Sequence, residues 1–194
     1  FTENINWRIF RIMAEFIEGF EFLSKLTKEV SVFGSTRVSS SHPYYQMAKE
    51  LGFLCGKAGF TIVTGGGPGI MEAGNKGADL GGGKSVGINI QLPFEQVLNP
   101  HVKQSLGFKY FFTRKVMLLS PAQAYVFFPG GYGTMDEFFE VFDLMENDQI
   151  AKAPMILVGE DFWRPLMKFL LEQSVHLGIL EQEMLKAVTI VDRA

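Results

Sequence analysis

Short apolar runs, each broken off at glycine and followed by a stretch of helical periodicity, decide what this chain can fold into. Val30-Ser31-Val32-Phe33 stops at Gly34-Ser35-Thr36, and 60–64 runs straight into Gly65-Gly66-Gly67-Pro68-Gly69. The strongly apolar 124–128 ends at Pro129-Gly130-Gly131. β-Branched and aromatic runs of this kind, bounded by turn residues, read as strands. Further strands are predicted over 85–90, 155–158 and 185–191. Between them, Tyr45, Ala48, Leu51, Leu54 and Cys55 recur at helical steps within 44–57. Helices are also predicted over 70–80, 113–119, 134–147 and 162–176. The 92–109 segment holds Pro93, Asn99, Pro100 and Gly107 and reads as a long loop with at most one helical turn.

Strands that alternate with helices need crossovers, and crossovers lay helices on both faces of the sheet. The expected fold is therefore α/β, a doubly wound, mainly parallel, Rossmann-like sheet. At 194 residues, with no linker, repeat or low-complexity tract, 1–194 reads as a single domain with an N-terminal helix in 1–28. In that helix Ile5, Ile9, Ile12, Met13, Phe16, Phe20 and Leu23 form the apolar stripe. Arg8, Arg11, Glu15, Glu18 and Glu21 are spread through it, unlike a signal peptide, whose charges precede a clean apolar block. A start at Phe1 leads us to expect residues upstream.

Composition narrows the classes. Hydrophobic residues are 47% and charged residues 20%, a balance that builds a core, with 19 Phe to fill it. A net charge of −3 lacks the basic footprint of a nucleic-acid binder. No apolar run reaches the roughly 18 residues of a membrane span. The single Cys55 excludes an intrachain disulfide framework and a cysteine-rich zinc site, which fits a cytoplasmic home. His42, His101 and His176 show no metal-ligand spacing, so no metal or cofactor is expected.

In an open parallel sheet ligands bind beyond the carboxyl ends of the strands, where the three glycine turns lie. Such turns aim backbone N–H groups outward beside a helix start and so suit phosphate, although connecting turns favour glycine on their own account. Familiar templates fail. The dinucleotide pattern G-x-G-x-x-G breaks at Ile70, and the P-loop-like Gly83-Lys84-Ser85 has Ala78 where its first glycine belongs. Thr134 and Glu137 have the spacing of a capping box, which would tie both to the helix start. Against that account stands an acid placed beside an anion-binding turn. Arg114 and Lys115 interrupt an apolar helix, and either snorkel to solvent or reach the ligand edge.

Taken together, Gly65-Gly66-Gly67-Pro68-Gly69-Ile70-Met71-Glu72-Ala73, Arg114-Lys115 and Pro129-Gly130-Gly131-Tyr132-Gly133-Thr134-Met135-Asp136-Glu137 resemble the Lonely Guy (LOG) family. Its members are cytokinin riboside 5′-monophosphate phosphoribohydrolases, often labelled lysine decarboxylase-like. The resemblance runs from about Val30 to Gly159. It implies a nucleotide-binding domain with a small-molecule nucleotide as its partner, commonly a homodimer or a higher homo-oligomer, and the charge and hydropathy above leave no nucleic acid or membrane partner to expect. It also implies hydrolysis of a nucleoside 5′-monophosphate, AMP or N6-modified AMP, to base and ribose 5-phosphate. On the matching positions, the catalytic pair would be Arg114 and Glu137. Substrate would be held by Ser35, Gly65, Gly66, Gly67, Gly69, Met71, Glu95, Lys115, Gly130, Gly131, Tyr132, Gly133 and Thr134. The chain departs from the plant pattern at Asp136, where glutamate is typical, and at Asp143, where threonine is. Both bear on base preference. A broad purine-nucleotide nucleosidase and a non-catalytic nucleotide sensor are the alternatives. Nothing supports lysine decarboxylation, because no lysine sits in a pyridoxal-phosphate context.

Overall fold

The computed structural model describes residues 5–91 and 98–193. Ile5–Leu23 (α1) is followed by Glu29–Phe33 (β1), Pro43–Lys57 (α2), Thr61–Thr64 (β2), Ile70–Leu80 (α3) and Lys84–Ile90 (β3). After these come Gln104–Phe108 (β4), Phe111–Leu119 (α4), Ala124–Phe127 (β5) and Tyr132–Glu146 (α5). Met155–Val158 (β6), Glu160–Phe169 (α6), Gln182–Leu185 (α7) and Val188–Val191 (β7) complete the order. All adjacent strands pair in parallel, in the order β4-β3-β2-β1-β5-β6-β7. The Rossmann-like α/β reading therefore holds.

Successive side chains of a strand point to opposite faces, and here both faces are apolar because helices cover both. Val63, Ile88, Tyr125 and Phe127 join one core with Met117 of α4, Phe138 of α5 and Trp163 of α6. Val30, Val32, Ile62 and Val126 join the other with Tyr45 and Ala48 of α2 and Ile70 and Ala73 of α3.

Three expectations change. The 92–109 segment is not all loop: Gln104–Phe108 is an edge strand in register with β3, from Val86 opposite Gln104 to Ile90 opposite Phe108. Its sequence has no β-branched residue and only Phe108 is buried, so pairing to β3 makes the strand where local preference does not. The helix expected over 162–176 is α6 continued by a π-helical stretch, Leu170–Val175. The N-terminal helix forms, but Ile5, Ile9, Met13 and Phe20 of its stripe are exposed, while Glu15, Gly19 and Leu23 are buried. Among the described residues, no helix is long and apolar enough to cross a membrane.

The order of strands fixes the ligand edge. From β1 the chain winds outward through β2 and β3 to β4, then returns to place β5 on the other side of β1. The loops after β1 and β5 therefore diverge and leave a crevice between them. Two backbone bonds hold its floor: Phe128 N–H to the Phe33 carbonyl (2.9 Å) and Ser35 N–H to the Pro129 carbonyl (3.1 Å).

Candidate active site

A cavity of about 700 Å³ opens at this crevice. The turn after β1 supplies Ser35 and Arg37, β2 leads into Gly65, and α3 contributes Met71. Helix α4 brings Arg114, and the start of α5 brings Gly131, Tyr132, Gly133, Thr134 and Glu137.

Gly65 is where the backbone must make room. A Cβ there would lie 2.2 Å from Arg114 Nη2 and 2.9 Å from Met71 Sδ. The guanidinium thus lies against bare main chain, and Arg114 Nε donates to the Ile88 carbonyl at 2.8 Å. Arg114 is half-buried and turned into the cavity, not snorkelled to solvent. Burial lowers its pKa and the neighbouring Glu137 charge opposes that, but a guanidinium stays charged.

Glu137 is 7% exposed, and its Oε2 has no hydrogen-bond partner among the described residues. The capping-box expectation fails for a reason of register. Helix α5 starts at Tyr132 with Gly131 as its cap residue, so Thr134 already lies inside the first turn and Glu137 in the second. From there the carboxylate cannot reach the free N–H groups of the first turn. Burial drives its carboxyl up from 4.5 to about 7, against the opposing pull of Lys115 and Arg114. Such a group changes charge near neutral pH beside a fixed cation.

Lys115 faces elsewhere. It pairs with Asp136 at 3.0 Å and with Glu140, joining α4 to α5, and it does not line the cavity. Burial lowers its pKa, but the bonds to Glu140 and Asp136 outweigh this and raise it overall. Gly66, Gly67, Gly69 and Gly130 also lie outside the lining and shape the turns behind it. Gly69 has φ +70°, and a Cβ would lie 2.4 Å from the Ser35 carbonyl oxygen, which accepts the Ile70 N–H. Glu95 falls outside the described residues.

Two features escaped the sequence reading. Arg37 adds a second cation to the cavity; an arginine in a polar loop gives no local signal. Behind the Gly65–Gly69 turn lies a buried polar network. Thr64 Oγ1 donates to Asn75 Oδ1 (2.7 Å) and accepts from the Gly66 N–H (3.0 Å). Asn99 Nδ2 donates to Asn75 Oδ1 and to the Gly67 carbonyl, both at 3.0 Å. The Gly66 N–H and the Gly67 carbonyl are thereby spent on the protein. Tyr132 and Gly133, at the start of α5, precede the earliest bonds to the Gly131 carbonyl and line the crevice, so their N–H groups are not spent on the helix.

Residues 71–194 match the family model described as possible lysine decarboxylase. The probable cytokinin riboside 5′-monophosphate phosphoribohydrolase LOGL5 of Oryza sativa subsp. japonica is 27% identical over 156 residues. That is 79% of this chain and 63% of the relative, so the chain spans less than two thirds of the plant protein it matches. The cytokinin riboside 5′-monophosphate phosphoribohydrolase of Rhodococcoides fascians is 27% identical over 158 residues, 77% of each chain. Among solved structures, the molybdenum cofactor carrier protein of Chlamydomonas reinhardtii superposes with a TM-score of 0.60 over 86% of this chain and 91% of its own. At 21% identity, that is a likeness of fold. With the family model covering well over half of its length, the chain belongs to the possible lysine decarboxylase, or LOG, family.

Proposed function

We propose that this protein hydrolyses the N-glycosidic bond of a nucleoside 5′-monophosphate, AMP or N6-modified AMP, to free base and ribose 5-phosphate. One observation carries the reading: a buried carboxylate, Glu137, with an oxygen unpartnered among the described residues, lines a cavity that also holds a guanidinium and a helix start. The names of the relatives supply the reaction, and the parts suit it.

The substrate phosphate sits on the Tyr132 and Gly133 amides, where the positive end of α5 and the Arg37 side chain favour a dianion. Arg114, steadied by the Ile88 carbonyl, turns its remaining N–H groups to ribose and phosphate oxygens. Stretching the C1′–N bond sends its electron pair to the base and leaves C1′ electron-poor, as in glycoside hydrolysis. Glu137, ionised, faces that carbon. Water adds its oxygen to C1′, Glu137 accepts the water proton, and the proton passes to the departing base. Nucleotide and water thus balance base and ribose 5-phosphate. A carboxylate with a pKa of about 7 is a stronger base than one at 4.5 and is still largely ionised just above neutrality.

The test is chromatographic detection of base released by purified protein from AMP, GMP, isopentenyl-AMP and adenosine. The expected result is release from a nucleotide, with kcat/KM for adenosine lower by about 10²-fold because the phosphate supplies the binding energy. Arg114→Ala should abolish most of the activity. No base from any nucleotide overturns the reading, and calorimetric AMP binding without release would make the protein a nucleotide-binding module.

A further inference from the structure

Read along the sequence, Glu15 is one of several charges on the N-terminal helix, yet it is 8% exposed. Its Oε1 accepts the Lys109 N–H at 2.8 Å and its Oε2 accepts the Thr113 hydroxyl at 2.5 Å. Both donors belong to the entry of α4, whose own cap residue, Tyr110, makes no side-chain capping bond. We propose that Glu15 is a positioning residue for Arg114: from α1 its carboxylate pins the Lys109 N–H and the Thr113 hydroxyl at the entry of α4 and so fixes the guanidinium in the cavity. This rests on the reading that Arg114 acts on a nucleotide.

The geometry supports a clamp. A carboxylate beside a helix start opposes the positive end of the dipole, and this one ties the Lys109 N–H, just ahead of the cap residue, to a hydroxyl of the first turn. Thr113 immediately precedes Arg114, and the Arg114 N–H closes the same turn on the Tyr110 carbonyl at 3.2 Å. One turn further along α1, a Cβ on Gly19 would lie 2.6 Å from Met117 Sδ, so the two helices also touch deeper in the core. Helix α4 is thus gripped by α1 at its start and its middle. Arg114 leaves it between the two points to meet the Ile88 carbonyl. If the first turn loosens, the guanidinium loses its register with Gly65, where no slack exists.

The experiment compares base release from AMP by Glu15→Ala and Glu15→Gln, each alone and in an Arg114→Lys background. Glutamine can accept the Lys109 N–H and donate to the Thr113 oxygen, whose proton then turns to the Tyr110 carbonyl 2.9 Å away. Glu15→Ala should lower kcat/KM roughly tenfold, mostly in kcat, because small misplacements of a positioning group are costly. Glu15→Gln should restore most of the loss. With Arg114→Lys, Glu15→Ala should cost less than about twofold, because the group it positions is already altered. An equal factor in both backgrounds, or no loss at all, overturns the proposal. Should Glu15→Ala not fold, Thr113→Val removes the other half of the clamp and is compared across the same backgrounds. If the wild type releases no base, the nucleotide reading fails separately, and amide hydrogen exchange over 111–119 reads the clamp: faster exchange confined to α4 in Glu15→Ala, with Glu15→Gln close to the wild type, supports it, and unchanged exchange in Glu15→Ala overturns it.

Discussion

Replacing Glu137 with glutamine should impair function and strengthen the fold at the same time, and both effects follow from its environment. The native carboxyl has a pKa of about 7 in place of 4.5, chiefly because it is buried. Between those values the folded state holds a proton that the unfolded chain has lost, so stability falls as pH rises from about 4.5 to 7. Above about 7 both states are ionised and the full cost is present. At 1.36 kcal/mol for each pH unit, it is about 3 kcal/mol. Glutamine keeps the shape without the charge. Glu137→Gln should therefore be more stable by about 3 kcal/mol at pH 8, a rise of roughly 6–12 °C in Tm for a chain of this size. The gain should vanish by pH 4. Base release should fall about 10²–10⁴-fold, the usual worth of a positioned general base. In the wild type, kcat/KM should climb with pH and level off above about 7; in the variant that inflection should be gone. Calorimetric melting at pH 4 and 8 and a rate profile across this range read both effects. Full activity in the variant refutes the role of Glu137, and an unchanged Tm at pH 8 refutes the claim that the carboxylate is held at a cost.

Gly65→Ala should fold but lose activity by tenfold or more, because the new methyl claims the space of the Arg114 guanidinium; steady-state kinetics beside a far-ultraviolet spectrum check this. Asn99→Ala removes both donor bonds to Asn75 and Gly67 from a buried network and should cost about 1–3 kcal/mol in denaturant titration. Gly69→Ala, at φ +70° and pressed on the Ser35 carbonyl, should destabilise by more than about 1 kcal/mol in the same titration, where Gly→Ala at an unstrained position would stabilise.

The alternation of strands and helices was plain in the sequence because buried parallel strands are apolar on both faces, as 60–64 and 124–128 are. β4 was not, since Gln104–Phe108 carries no pattern of its own and exists by pairing with β3. The glycine turns pointed to the ligand edge, but composition could not divide them. Only the structure separates Gly65, which faces the cavity, from Gly66, whose N–H bonds to Thr64, and Gly67, whose carbonyl accepts from Asn99. The standing of Glu137 turned on where α5 begins. A helix starting at Thr134 would have capped itself with that acid; one starting at Tyr132 leaves the acid in the second turn, buried, with an oxygen unpartnered among the described residues. Glu15 and Arg37 were invisible for a simpler reason: their roles depend on contacts with distant segments, which no local spacing encodes.

The most direct measurement is a crystal structure of Glu137→Gln bound to AMP. The account predicts the phosphate on the Tyr132 and Gly133 amides, with C1′ about 3–5 Å from the side chain at position 137, directly or through one water. A nucleotide whose phosphate lies away from the start of α5, or whose C1′ faces solvent with the residue-137 side chain turned to its own helix, would contradict it.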